Sequence, residues 1–167
     1  MQENTKNFTK KVVRVAIIAA LYVALTFVTF PVASGAIQFR VSEGLCMLPL
    51  IFPETAISLG IGCALANLLT GCAVFDIIFG SIISLIAGVL TALVGKFIKN
   101  MPWKLILGGI FPVVLNAFLL PLIWLYCYGA LEYVYMLQVV FLLISQSVAI
   151  YGLGIPLYFA VKKLRKD

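Results

Sequence analysis

The stretch Gly35–Glu54, GAIQFRVSEGLCMLPLIFPE, sets Gln38, Arg40 and Glu43 close together inside an otherwise apolar sequence. Arg40 and Glu43 stand three residues apart, so on a helix they share a face. A charged side chain at membrane depth costs about 2.5–3.5 kcal/mol on insertion scales and is by default a functional candidate. The competing reading is an ion pair at a helix start, wetted by outside water.

The membrane setting follows from composition. Of 167 residues, 63% are hydrophobic and 11% are charged, and the mean hydropathy is +1.15. Soluble domains carry about 25% charged residues. Long apolar runs recur here, so the chain reads as an all-α integral membrane protein. The formal charge of +6 does not point to nucleic acid, because the basic residues bracket apolar runs and form no patch among aromatics. Cys46, Cys63, Cys72 and Cys127 form no C-x-x-C pair and histidine is absent. No metal or cofactor is therefore expected, and the cysteines read as small buried side chains. The apolar run Val12–Phe30 exceeds the roughly 7–15 residues of a signal-peptide core and reads as a retained helix.

Six transmembrane helices are expected. They run from about Lys10 to Phe30, Phe39 to Phe52, Glu54 to Leu69, Asp76 to Ile98, Pro102 to Tyr126, and Tyr135 to Val161. Residues 1–9 read as a frayed cytoplasmic tail, 10–161 as the membrane domain and 162–167 as a basic cytoplasmic tail. Pro49 and Pro53 bend or end the short second helix, and Pro112 and Pro121 kink the fifth. With six spans, every Lys and Arg except Arg40 falls on one face. The positive-inside rule then puts both termini in the cytoplasm. Five spans would split the terminal basic clusters across the bilayer. Trp124, Tyr126, Tyr128, Tyr133 and Tyr135 read as an outer aromatic belt, and Trp103 marks the inner interface.

With that topology, Gln38, Arg40, Glu43, Asn67, Asp76, Asn116, Gln138 and Gln146 all lie in the outer half or at the midplane. This distribution suits a cavity open outward and closed beneath. Plainer roles exist for several: Asp76 as a helix cap, Asn67 and Asn116 as interhelical glue, Gln146 with Ser145 and Ser147 as packing, and Glu54 as a favourable charge at a helix N-terminus. Two small-residue stripes, Ala16/Ala20/Ala24 and Gly80/Ser84/Gly88, allow close helix approach. GVLTALVGKF at Gly88–Phe97 has the wrong spacing for a phosphate loop. No nucleophile–base pair suggests an enzyme, and no inverted repeat suggests a self-sufficient carrier.

SGAIQFRVSEGLCMLP, LGIGCALANLLTG and DIIFGSIISLIAG together resemble the QueT family of queuosine-precursor transporters. The likeness runs from the first helix to about Lys99. It implies a bacterial plasma-membrane protein, the substrate-binding S component of an energy-coupling factor (ECF) importer. It also implies partners: a transmembrane coupling subunit and two ATPases, docked through small residues of helix 1, which Ala16, Ala20 and Ala24 match. The implied cargo is a 7-deazaguanine such as queuine or its cyano or aminomethyl precursors. The expected substrate residues are Gln38, Arg40, Glu43, Asn67, Asp76, Asn116 and Gln138. A guanine-like edge offers donors that suit either Glu43 or Asp76, and acceptors that suit Arg, Asn or Gln. Phe39, Phe75 or Tyr135 suits its flat face. The alternatives are an S component for another vitamin or amino acid, and a stand-alone transporter or channel.

Overall fold

The computed structural model describes residues 2–30, 38–129 and 134–164, and among them all regular structure is helical. The helices are α1 (Gln2–Val28), α2 (Val41–Leu50), α3 (Thr55–Leu69), α4 (Val74–Phe97), α5 (Met101–Tyr128) and α6 (Tyr135–Leu164). Four are long and apolar enough to cross a membrane: α1 from Thr5, α4, α5 and α6. At 1.5 Å per residue they reach beyond the roughly 30 Å hydrocarbon core. The shorter pair, α2 and α3, hold 10 and 15 residues.

Helix α1 begins before the expected Lys10, running through residues expected to fray. Neither Pro nor Gly interrupts residues 2–30, so no breaker stops the helix earlier. Its Ile18, Ala19, Tyr22 and Thr26 are buried, while Ile17 and Phe27 on other faces are each 61% exposed. Large exposed apolar side chains on α3 to α6, Leu68, Ile82, Ile110 and Ile144 among them, extend the same lipid-suited surface.

The principal departure from expectation is α2. It is wound as a 3-10 helix, with Ser42 to Leu50 buried without a break. Such runs are usually three or four residues long. Here the winding stretches ten residues over about 20 Å, where an α-helix would cover about 15 Å. Helix α2 touches α1, α3, α4, α5 and the second half of α6, so it is the axis of the bundle. Its neighbours make room with glycine. A Cβ on Gly95 of α4 would sit 2.7 Å from the Leu50 carbonyl oxygen, and one on Gly154 of α6 would sit 2.8 Å from that of Gly44. Where α6 meets α2, its backbone loosens into a π-helical turn over Val148–Gly154.

The turn Gly71, with φ +71°, separates α3 from α4. A Cβ on Gly88 would lie 2.9 Å from Ala56 Cα, so the Gly80/Ser84/Gly88 stripe packs α4 onto α3 as expected. Pro112 and Pro121 lie inside α5, which ends at a left-handed Gly129.

The bundle has two chemically different ends. At one, Lys96, Lys99, Lys104 and Lys162 line a groove with Leu50, Ile51 and Pro53. Lys11, Arg14 and Glu54 border a second groove there with Ile51 and Phe52. Arg14 pairs with Glu54 and its guanidinium stacks 3.7 Å above the Phe52 ring. At the other end lie Arg40, Asn67, Asp76 and Trp124. Helix α2 runs from that end to the basic one, and α3 returns.

Candidate functional site

The start of α2, the end of α3, the first three turns of α4 and the interiors of α5 and α6 enclose one polar cavity. Six of the seven expected residues line it: Gln38, Arg40, Glu43, Asn67, Asp76 and Asn116. The lining also includes Cys63, Ser84, Trp124 and Gln146. Gln138 is buried on α6 but is not in this lining.

Glu43 is the deepest charge, only 3% exposed. Three neutral donors hold it. The Tyr22 hydroxyl donates to Oε1 at 2.6 Å. The Cys46 thiol donates to Oε2 at 3.2 Å, and Asn116 Nδ2 to the same oxygen at 3.4 Å. Hydrogen bonds to a charged group contribute about 1.5–3 kcal/mol each. Such a set is what a buried carboxylate without a cationic partner requires. Asn116 Nδ2 also donates to Gln146 Oε1 at 3.3 Å, which ties α5 to α6.

Arg40 does not pair with Glu43. It precedes α2 with extended backbone, φ −105° and ψ 114°, and so points elsewhere. Its Nη1 donates to Asn67 Oδ1 at 3.0 Å, and its buried Nε has no hydrogen-bond partner. Asn67 Nδ2 donates in turn to the Asp76 carbonyl at 3.0 Å. Asn67 is therefore both glue between α3 and α4 and a wall of the cavity. Asp76 is not the cap of α4: the capping position is Ala73, with no side-chain cap. Instead Asp76 Oδ1 accepts from Trp124 Nε1 at 2.8 Å. Gln38 stands at the mouth with φ +43°, a left-handed conformation uncommon for a residue with a side chain.

The side chains fill the site with one another. Free space at its centre is ≈ 10 Å³, about the room of one water. A ring-sized ligand therefore enters by exchanging these internal bonds for its own. Towards the basic end, Met47, Leu50, Val94, Val113, Ile150 and Tyr158 pack into an apolar cluster. It separates the cavity from the lysine-lined groove.

The lining adds to the sequence expectations. Gln146 lines the cavity rather than serving packing alone. Tyr22, which carries no sequence motif, reaches Glu43 from the buried face of α1 that it shares with Thr26. Trp124 is in the cavity lining, and Phe39, Phe75 and Tyr135 are not. Phe75 packs against Tyr128 at 5.7 Å, and the Tyr135 hydroxyl donates to the Phe118 carbonyl.

An all-helical bundle with a lipid-suited exterior and a polar chamber inside it is a multi-pass membrane protein. The sequence pattern of the QueT transporter family matches residues 12–163, and the chain belongs to that family. Its place is accordingly the cell membrane. The queuosine precursor transporter QueT of Lactococcus lactis subsp. cremoris (strain MG1363) is 39% identical over 83 residues, which cover 48% of each chain. The chain thus spans about half the length of that curated relative. No solved structure matches.

Proposed function

We propose that the protein captures queuosine precursors, 7-deazaguanines such as queuine, as the S component of an ECF importer. The observation that carries this reading is the polar chamber itself. It gathers one guanidinium, two carboxylates and four carboxamides, contributed by α2 to α6 and the segment just before α2. A guanine-like edge presents N–H donors and carbonyl and ring-nitrogen acceptors, and these groups complement both. Trp124 supplies an aromatic wall for the ring.

All six helices cross the bilayer in this reading, with both termini cytoplasmic. The gathering of lysines from α4, α5 and α6 with Lys11 and Arg14 at one end supports that orientation. The run of α2 and α3 between the two ends supports the crossing of the short pair. The chamber then faces outward, above an apolar floor, and nothing in this reading makes the chain an enzyme.

Concentrating a scarce nutrient needs an energy source, and here it comes from partner ATPases through a coupling subunit. Ala16, Ala20 and Ala24 support docking. All three are exposed, on the opposite face from buried Tyr22 and Thr26, so the stripe is not internal packing. A small-residue strip lets a partner helix approach closely.

Uptake of labelled queuine by cells with and without the coupling subunit and ATPases tests the assignment. Uptake that requires them supports it. Uptake by this chain alone favours a stand-alone transporter.

A further inference from the structure

We propose that the chamber selects a cargo bearing a protonated amine over a neutral one of the same shape, with Asp76 receiving the amine. This rests on the deazaguanine reading above and narrows it. Two carboxylates, Glu43 and Asp76, face the chamber against a single cation, Arg40, among the described residues that line it. Arg40 neutralises neither by direct contact: no ion pair within 4 Å joins it to Glu43 or Asp76, and its Nη1 is given to Asn67. Counted formally, the two carboxylates exceed the one guanidinium by one negative charge, in a space with room for about one water. A neutral cargo that expels this water leaves the charge uncompensated, and an ammonium group balances it.

The two carboxylates are not equivalent. Both oxygens of Glu43 are engaged by three neutral donors, and the group is nearly fully buried. It is a fixed acceptor suited to ring N–H groups. Asp76 is half-buried. Its Oδ1 accepts from Trp124, and among the described residues no hydrogen bond reaches Oδ2. Its backbone is anchored on both sides, the N–H to the Tyr128 hydroxyl at 3.3 Å and the carbonyl to Asn67. Asp76 thus offers a positioned oxygen with free acceptor capacity at the chamber wall. That oxygen suits an ammonium, which donates up to three hydrogen bonds and accepts none.

The division of labour makes separate predictions for the two residues. The probes are 7-aminomethyl-7-deazaguanine and 7-cyano-7-deazaguanine, which share the ring and differ in charge. Their affinities are measured on the purified full chain. The wild type binds the aminomethyl compound at least about tenfold more tightly, or about 1.4 kcal/mol. Asp76→Asn brings the two within about threefold by weakening the amine alone. Asp76→Glu, which keeps the charge, keeps the preference. Glu43→Gln weakens both compounds alike and leaves their ratio unchanged. Equal or tighter binding of the nitrile by the wild type overturns the inference and leaves the substrate reading standing. A preference that survives Asp76→Asn removes Asp76 from the role and overturns it as well. If the wild type binds neither compound, nor queuine or guanine, the substrate reading falls and this inference falls with it.

Discussion

The Tyr22 hydroxyl lies 2.6 Å from Glu43 Oε1, a buried bond between the first helix and the polar lining of the chamber. One turn on, Thr26 Oγ1 lies 2.7 Å from Ser42 Oγ. The inner face of α1 is therefore fastened to α2 beside the binding groups. Its outer face carries Ala16, Ala20 and Ala24 in the open. One helix thus has the proposed cargo site on one side and the proposed coupling surface on the other.

Tyr22→Phe keeps the ring and removes the donor. Glu43 then loses one of its three partners, and stability falls by about 1.5–3 kcal/mol, read as a lower melting temperature in detergent. Cys46 and Asn116 still hold the carboxylate, so affinity falls by less than about tenfold. A stable variant with wild-type melting would show that the bond contributes nothing to the fold.

The outer face is tested by Ala16→Trp together with Ala20→Trp. Uptake and co-purification with the coupling subunit are lost, while cargo binding stays near the wild-type level. Normal transport by this double variant would remove the docking role.

Gly154 packs where α6 crosses α2. A Cβ there would stand 2.6 Å from Met47 Cγ as well as 2.8 Å from the Gly44 carbonyl oxygen. Gly154→Ala must push the helices apart, at a cost of about 1–3 kcal/mol. Melting temperature and cargo affinity fall together, because α2 carries Glu43. An unaffected melting temperature would mean that α6 yields at no cost.

Cys72 and Cys127 are half-buried, whereas Cys46 and Cys63 are buried. On intact cells, a membrane-impermeant thiol reagent labels the first two and spares the others. Labelling of Cys72 only from inside would reverse the proposed orientation.

Much of this arrangement was legible in the sequence because polar groups are costly in lipid. Gln38, Arg40, Glu43, Asn67, Asp76 and Asn116 stand out against their neighbours for that reason, and all six line the chamber. Gln138 stands out equally but lies outside the lining, since depth alone does not say which way a side chain faces. Tyr22 and Trp124 were harder to read. An aromatic with a polar tip fits an apolar core or an interfacial belt as well as a binding site. The 3-10 winding of α2 has no local signature. It accompanies close packing against Gly95 and Gly154, which are 45 or more residues away in sequence. The separation of Arg40 from Glu43 follows from that backbone too: Arg40 stands before the helix in extended form, so the face shared on an ideal helix is not formed.

The central claim is that this chamber binds a deazaguanine through Glu43. Calorimetric titration of queuine and its aminomethyl and cyano precursors into purified wild type and Glu43→Gln tests it most directly. The account predicts saturable one-to-one binding of at least one compound by the wild type. It also predicts affinity weakened about 10–150-fold in the variant, the equivalent of one charge-assisted hydrogen bond. Wild-type affinity in a folded Glu43→Gln protein, or no binding of any of the three by the wild type, would contradict it.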